Sequence, residues 1–517
     1  MHCLKRSNTC RDPEALVVED EKNQINVAVI VDAHTEDYQD YLTLREDFSS
    51  EKEQRLNRKI DWHILPPLML IYMLTYVDRS NVGNAKLFGA QKDLGMKGTD
   101  WNIGLSLLFI TFAIGAPFSA ALGKKYTTRF KLPLLLAACG ATILAAGCSN
   151  NKAAWYAFRL ILGLFESGVP SISAYILSTW YSSDIFTSRY SWFYFGATIS
   201  GAVSGLLAYG IAQLDYHWGY KGWRWIYVLE GFASIIIAIL LCFVIPGTTE
   251  RTHKWITSEE QRFILLRGRY TYGTDKSGNS SEFKLKEYLS AWTSPHLLIP
   301  GFSFFSFPVG IFAFSFTLPT IIASMGFTAA AEQGLSAPPY VAATFAVGFT
   351  GWASDRYKTR ILTVVGPAFV AVVGLAMMWA SVGKKNLVGV CYTGCMLAAM
   401  GFYPLSPTHT SILALNNAGQ SKRSAALGGL LVFTQVGGVL GSNIYLSSQA
   451  PYYPVGFGVS AGLVIFGNLI VMTGYWFYVG AVNKKRAAMS EEEIRAEYTS
   501  DELEEMGDKA PLYIYSR

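Results

Sequence analysis

Residues 62–86 read WHILPPLMLIYMLTYVDRSNVGNAK, and this stretch decides the fold class. As far as Val77 it is nearly all apolar, which is the pattern of a helix that enters a membrane. It then carries an adjacent acid and base, Asp78 and Arg79. An ionised side chain at the bilayer centre costs at least ~2.5–3.5 kcal/mol, so such charges usually face a cavity and have a function. The stretch therefore predicts a membrane helix with a functional pair of charges in its far third.

The rest of the chain also has the composition of a membrane protein. Of its 517 residues, 51% are hydrophobic and 16% are charged, against about 25% charged in an ordinary soluble domain. Apolar blocks of about 20 residues, the length that crosses a bilayer, fill most of the chain between two polar ends. The polar first 60 residues hold no early apolar block of the kind found in secretory signals. The first span is therefore expected to act as a signal anchor.

Apolar blocks and turn signals predict an all-α membrane protein with twelve transmembrane helices in two six-helix bundles. The predicted spans are residues 62–82, 101–122, 132–149, 154–180, 188–213, 223–246, 297–321, 338–353, 361–381, 388–413, 425–446 and 455–480. The eighth is the shortest of them. The predicted domains are the N-terminal tail 1–60, the bundle 61–246, the central loop 247–296, the bundle 297–480 and the C-terminal tail 481–517.

Lysine and arginine residues near the span ends predict the orientation, because cytoplasmic loops carry an excess of them. The loops on the side of the two termini are the richer set, with clusters around Arg58, Lys125, Arg360, Lys422 and Lys485. Both termini and the central loop are therefore predicted to be cytoplasmic. The predicted location is the plasma membrane, with a vacuolar or other internal membrane as the alternative.

Charged residues inside further spans predict a site. Arg159 and Glu166 lie seven residues apart in span 4, which places them on one helical face about 10 Å apart along the axis. Arginine stays charged and offers a bidentate fork to a carboxylate, whereas a partly desolvated acid can take up and release a proton. Arg79 and Arg159 are therefore predicted to bind an organic anion, and Asp78 and Glu166 to carry its proton.

Some of these charges have a simpler interpretation. If span 1 ended at Val77, Asp78 and Arg79 would form a solvated cap. Arg159 could extend to the outer surface along its apolar stem. Glu166 lies near the middle of its span and has no such exit, which favours a partner or a cavity.

Weaker candidates lie elsewhere in the spans. Glu230 in span 6 is expected to pair with a loop arginine, such as Arg189 or Arg224, as a structural lock. Asn81, His409 and Gln435 are further candidates for binding the substrate. For Gln435 the alternative is helix packing, because a polar residue on a glycine-rich helix more often joins helices.

A basic turn after a glycine recurs at the equivalent loop of each half. Gly123-Lys-Lys-Tyr-Thr-Thr-Arg follows span 2, and Gly351-Trp-Ala-Ser-Asp-Arg-Tyr-Lys-Thr-Arg follows span 8. The second copy resembles the Gly-x-x-x-Asp-Arg loop of the major facilitator superfamily, whereas the first has Thr127 in place of the acid. The resemblance implies gating or structural roles for four residues of the second copy, Gly351, Asp355, Arg356 and Arg360. The structural role expected of Glu230 rests instead on its predicted pairing with a loop arginine.

Four segments resemble one branch of that superfamily more closely. They are RKIDWHILPPLMLIYMLTYVDRSNVGNAK (58–86), RLILGLFESGVPS (159–171), GWRWIYVLEG (222–231) and NNAGQSKRSA (416–425). They resemble the fungal allantoate permease family, in the anion:cation symporter branch, over about residues 55–485. The resemblance implies alternating access around a central cavity. It also implies that Arg79 and Arg159 bind the substrate and that Asp78 and Glu166 couple transport to protons.

The favoured hypothesis is thus a proton-coupled symporter for a small organic anion, such as a vitamin acid, a ureide or a monocarboxylate. An exporter of a metabolite with the same fold is the first alternative, and a nutrient sensor that does not transport is a weaker one. An enzyme is disfavoured, because the sequence has no phosphate-binding loop and no metal-ligand cluster. The expected partners are the anion, protons and the lipid bilayer. We expect a monomer with no cofactor, no metal and no nucleic-acid partner.

Overall fold

The computed structural model describes most of the chain and is dominated by helices. The described residues are 36–97, 99–122, 128–212, 214, 216–246, 255–271, 285–324, 329–418, 420–445, 449, 452–499, 502–503 and 506–517. The first copy of the basic turn, with Thr127, lies outside these residues, as do residues 1–35 of the N-terminal tail and parts of the central loop.

Each predicted span corresponds to one helix or to consecutive helices. In chain order these are Ser50–Leu87 (span 1), Asp100–Leu122 (span 2), Thr128–Gly147 (span 3), Lys152–Glu166 and Gly168–Trp180 (span 4), Phe186–Ala212 (span 5), Gly222–Val244 (span 6), Pro295–Phe304 and Ser306–Ser324 (span 7), Ala329–Tyr357 (span 8), Leu362–Ser381 (span 9), Val388–Phe402 and Leu405–Leu415 (span 10), Gln420–Ile444 (span 11), and Pro454–Val464, Ile465–Val471 and Met472–Ala487 (span 12). Within the described residues, ten of them are long and apolar enough to cross a membrane. The prediction of an all-α membrane fold is confirmed.

Spans 1 and 8 exceed their predicted lengths by the largest margins. Span 1 has 38 residues and continues to Leu87, so Asp78 and Arg79 lie inside a helix and the solvated-cap interpretation is wrong. Span 8 has 29 residues and is not the shortest. Its helix begins at Ala329, nine residues before the predicted start, and includes Pro338 and Pro339.

Span 4 is interrupted in the middle, between Glu166 and Gly168. Pro170 lies four residues after Glu166 and has no backbone N–H, so the Glu166 carbonyl cannot receive its usual helical hydrogen bond. Span 12 contains a π-helical segment, Ile465–Val471. Such segments are frequent at functional sites because they turn side chains out of the regular helical pattern.

The two halves meet along two pairs of helices. Span 2 packs against span 11, and span 5 packs against span 8. In the second pair the Thr344 hydroxyl donates to the Thr198 hydroxyl at 2.7 Å. Gly351 allows close approach here, because a Cβ on it would lie 2.7 Å from the Ser191 Cβ. The glycine of the basic turn is therefore explained by helix packing between the halves.

Polar segments cover the ends of the spans where span 1 begins and span 12 ends, which we call the terminal side. The helix Ser258–Thr271 of the central loop lies against spans 1 and 4 there. Its Arg267 donates to Glu53 at 2.8 Å and to the Trp180 carbonyl at 3.2 Å. The C-terminal tail is held by an ion pair of 2.5 Å between Lys422 and Asp508, both buried. The contact between Arg267 and Glu53 explains why span 1 starts before the apolar block does.

Candidate functional site

An ion pair between spans 1 and 4 lies at the centre of the N-terminal half. The Arg79 guanidinium donates to Glu166 Oε2 from Nη2 at 2.6 Å and from Nε at 2.8 Å. The two side chains are 9% and 0% exposed. Removing one partner of a buried pair leaves an uncompensated charge, which is far more costly than removing both. In this conformation Glu166 is therefore the counter-ion of Arg79.

Aromatic rings surround the guanidinium and continue into the C-terminal half. The Arg79 Cζ atom lies 5.2 Å from the ring centre of Tyr76 and 5.0 Å from that of Phe112, within cation–π range. The ring of Tyr76 contacts that of Tyr194 on span 5, whose ring contacts Tyr403 on span 10. The rings thus join the ion pair to the opposite bundle. Tyr194 and Phe112 were missed, because an aromatic residue in an apolar span carries no signal of its own.

A second group of polar side chains joins spans 1, 4 and 6 beside the ion pair. Asn81 Nδ2 donates to Glu230 Oε1 and its Oδ1 accepts from Asn84 at 2.8 Å. Arg159 Nη2 donates to the Tyr227 hydroxyl at 3.2 Å. Arg159 is 4% exposed, so the interpretation that it extends to the outer surface is wrong.

Asp78 lies within the same group and is 3% exposed. Neither of its carboxylate oxygens has a hydrogen-bond partner within the described part of the chain. The charges of Glu166, Arg159 and Arg79 all act on it. The structure therefore brings the four charges predicted from spans 1 and 4 into one buried cluster.

The predicted pairing of Glu230 with a loop arginine is wrong. Arg189 instead pairs with Asp61 at 3.2 Å, and Arg224 donates to the Gly147 carbonyl at 2.9 Å. Glu230 lies six residues beyond Arg224 along span 6, about 9 Å at the rise of an α-helix. At that depth the face it occupies packs against span 1 and its asparagine, out of reach of the loops.

The candidates in the C-terminal half lie apart from this cluster. His409 Nδ1 is 2.8 Å from the Leu405 carbonyl oxygen, and Nε2 is 3.2 Å from the Ser303 hydroxyl. Ser303 also donates to Asn468 Oδ1 at 3.1 Å, in the π-helical segment of span 12. Gln435 is buried on span 11, and within the described residues its Oε1 has no partner. Asn468 was missed, since a single amide in an apolar span has no distinguishing spacing.

The second basic turn joins the two halves on the terminal side. Asp355 Oδ2 accepts from the backbone N–H of Ser188, in the first turn of span 5, at 2.6 Å, and Oδ1 accepts from Arg360 at 3.0 Å. A carboxylate at a helix N-terminus is favoured by the exposed N–H groups and the helix dipole. Arg360 also donates to the Ser183 carbonyl and to the Ser411 hydroxyl. Arg356 is exposed.

We expect Asp355→Asn to loosen this junction. Losing a charge-assisted hydrogen bond costs about 1.5–3 kcal/mol. This is roughly a 10- to 100-fold shift in the equilibrium between the conformation with the junction closed and one with the junction open. The measurement is the rate at which a thiol reagent labels a cysteine introduced at buried Ser182, compared with the same protein without that cysteine. Arg356→Gln, in the same turn but exposed, is the matched control and should label as slowly as the parent. Equal labelling in the Asp355 variant would remove this residue from the junction.

Comparison with known proteins adds the family to this geometry. The protein-family model described as Major Facilitator Superfamily matches residues 68–442 of this chain. The chain belongs to the major facilitator superfamily. It is therefore a multi-pass membrane transporter and not an enzyme.

Individual members of the superfamily match over nearly the whole chain. The chain is 33% identical to the MFS-type transporter cnsO of Penicillium expansum, over 98% of this chain and 99% of that protein. It is 27% identical to the high-affinity nicotinic acid transporter of Saccharomyces cerevisiae, over 90% of this chain and 85% of that protein. The solved structure of the proton:xylose symporter XylE is similar in fold, with a TM-score of 0.60 at 14% identity over 82% of this chain and 96% of that one.

Proposed function

We propose that this superfamily member is a proton-coupled symporter for a small organic anion. The observation that carries the proposal is the buried ion pair between Arg79 and Glu166. A substrate carboxylate and the Glu166 carboxylate compete for the same guanidinium fork. Protonation of Glu166 removes its charge and releases Arg79 for the substrate. Binding of the proton and binding of the anion therefore favour each other, which is the linkage that a symporter needs.

The charges of the cluster also fit this exchange. An anion that replaces Glu166 on Arg79 while Glu166 takes a proton leaves the net charge of the cluster unchanged. The cluster can then cross between its two accessible states without adding a buried charge, which would be costly in the membrane. Arg159, with one hydrogen bond to Tyr227, keeps other N–H donors for a second oxygen of the substrate. Asp78 is the second acid of the proposed proton path.

The surroundings of Arg79 favour a substrate with a flat body. Tyr76 and Phe112 face the guanidinium, and aromatic faces pack well against a planar ring. The relative at 27% identity is named a nicotinic acid transporter, and its substrate is a small ring carboxylate. A vitamin acid is thus the first class to test, before ureides and simple monocarboxylates. Membership of the allantoate permease family is part of the proposal.

The proposed orientation has both termini in the cytoplasm and the protein in the plasma membrane, acting in uptake. The terminal side carries Arg267, Lys422 and Arg360, members of the lysine and arginine clusters from which the sequence predicts a cytoplasmic side. The junction of Asp355 and Arg360 is then a cytoplasmic gate between the halves.

Uptake of labelled carboxylates tests the proposal. The panel is nicotinate, pantothenate, allantoate, biotin and simple monocarboxylates, given to cells that lack their own carriers. Uptake is compared at acidic and slightly alkaline pH, with and without a protonophore. Acid-stimulated uptake that the protonophore abolishes is expected for one compound. If the protein is at the cell surface and no compound enters, while a deletion strain retains a metabolite, the direction is export and the uptake proposal fails.

Arg159→Lys is expected to raise KM for the substrate at least tenfold. Lysine keeps the charge but not the planar fork that binds a carboxylate through two parallel hydrogen bonds. Arg189→Lys is the matched control, because Arg189 belongs to a partly exposed pair with Asp61 outside the cluster, and its KM should stay within twofold. An unchanged KM in the Arg159 variant would exclude this side chain from the binding site.

A further inference from the structure

Glu230 is a buried carboxylate that takes no part in the proposed exchange, in which the substrate anion replaces Glu166 on Arg79. It lies on the face of span 6 that contacts spans 1 and 3, and it is 7% exposed. Its Oε1 accepts from Asn81, whereas within the described residues its Oε2 has no hydrogen-bond partner. The charges that act on it are those of Asp78 and Arg159. A buried acid needs a donor or a cation for each oxygen. In the described structure Glu230 has a donor for Oε1 and none for Oε2.

Asp78 also lacks hydrogen-bond donors to its carboxylate. Both of its oxygens are buried and without a partner in the described part of the chain. It lies three residues before Asn81 on span 1, and residues at this spacing share a helical face. Asp78 therefore shares a helical face with Asn81, the hydrogen-bond donor to Glu230, and the two acids together have three buried carboxylate oxygens that accept no hydrogen bond in the described structure.

The charges around these two acids do not balance. The charges of Arg79 and Glu166 cancel in their ion pair, so one net positive charge, that of Arg159, remains for the two acids Asp78 and Glu230. The other titratable side chains around the cluster are tyrosines and one cysteine, which supply no positive charge, and they are Tyr72, Tyr76, Cys139, Tyr194 and Tyr227. Two carboxylates that share one site and one cation do not both ionise, since the like charges repel. One bound proton would balance the charge and supply an O–H donor to the unsatisfied oxygens.

We propose that Asp78 and Glu230 share one proton in the closed conformation, which makes Glu230 a proton-binding residue of this transporter. Its place in a transport cycle rests on the symport proposed above, whereas the shared proton itself does not. The pair is separate from Glu166, whose charge is balanced by Arg79. Asn81 positions Glu230, because its amide donates to one oxygen, while the other accepts no hydrogen bond in the described structure.

Infrared absorption of the full-length protein in lipid nanodiscs tests the shared proton without any substrate. A protonated carboxylic acid has a carbonyl band that is distinct from that of a carboxylate and shifts in D2O. The wild type is expected to show this band at neutral pH. Asp78→Asn and Glu230→Gln should each abolish it, because either single acid beside Arg159 then ionises. Asp100→Asn, which removes an acid paired with Lys152 at the far end of span 2, is the matched control and should leave the band unchanged.

The pattern of loss decides the proposal. No band in the wild type, or a band lost in only one of the two variants or in neither, would overturn it. Should Glu230→Gln fail to give a monodisperse protein, Glu230→Asp replaces it, with a retained but shifted band expected and an unshifted band contradicting the assignment. If the infrared pattern holds while the wild type carries no anion with protons, the symport proposal fails and the acid pair stands. If the wild type does carry an anion with protons but the infrared pattern is not observed, the acid-pair proposal fails and the symport proposal stands.

Discussion

Replacing Glu166 with glutamine is expected to abolish uphill accumulation of the anion while its exchange across the membrane continues. Glutamine has the shape of glutamate but carries no charge and takes up no proton, so Arg79 is always free for the substrate. The accumulation ratio should fall to about 1, since the competition between Glu166 and the anion for Arg79, which links proton binding to anion binding, is then lost. The measurement compares net uptake with counterflow of labelled substrate into cells or liposomes that hold unlabelled substrate.

Two features make this test specific. Asp100→Asn is a matched control, since it neutralises an acid that is also paired, with Lys152 at 3.0 Å, but lies outside the cluster; accumulation should be unchanged. The variant should also bind substrate at least as tightly as the wild type at neutral pH, because the competing carboxylate is gone. Wild-type accumulation in the Glu166 variant would exclude this residue from proton coupling.

The sequence was sufficient to predict the spans, because the thickness of the bilayer fixes the length of an apolar block. It was not sufficient for their ends. Span 1 begins at Ser50 because its polar first turns are held by the central loop, where Lys59 pairs with Glu260 at 2.9 Å and Arg267 with Glu53. Hydropathy contains no information on such contacts, which join segments about two hundred residues apart.

The site residues could be predicted in the same partial way. A charge in an apolar span is conspicuous, so Asp78, Arg79, Arg159 and Glu166 were found. Their pairing could not be read from the sequence, because Arg79 and Glu166 are 87 residues apart and only helix packing brings them together. Neutral polar residues give a weaker signal still. The partner of Glu230 was misjudged because a loop arginine is near in sequence but not in space.

Single and double substitutions in the ion pair of Arg79 and Glu166 should have non-additive effects on the free energy of unfolding. We expect Arg79→Met to destabilise the protein by about 3–5 kcal/mol at neutral pH, because it leaves the Glu166 charge buried and unpaired. The double variant Arg79→Met/Glu166→Met should recover most of this loss, since two apolar side chains of similar volume replace the pair. Glu166→Met alone should cost less than Arg79→Met, because Asp78 lies close enough to act on the Arg79 charge.

Thermal unfolding in nanodiscs measures the order of the three variants, and uptake separates stability from function. The double variant should unfold near the wild-type temperature and yet carry no substrate, because the binding fork is absent. The pair of Arg189 and Asp61, whose side chains are 24% and 25% exposed, is the control, and Arg189→Met should cost less than Arg79→Met because solvent screens both charges. If Arg79→Met unfolds at the wild-type temperature, or if the double variant is no better than the single one, Glu166 is not held by Arg79 in the protein. The competition between Glu166 and the substrate would then lose its basis, since it requires that Arg79 be occupied before the anion arrives.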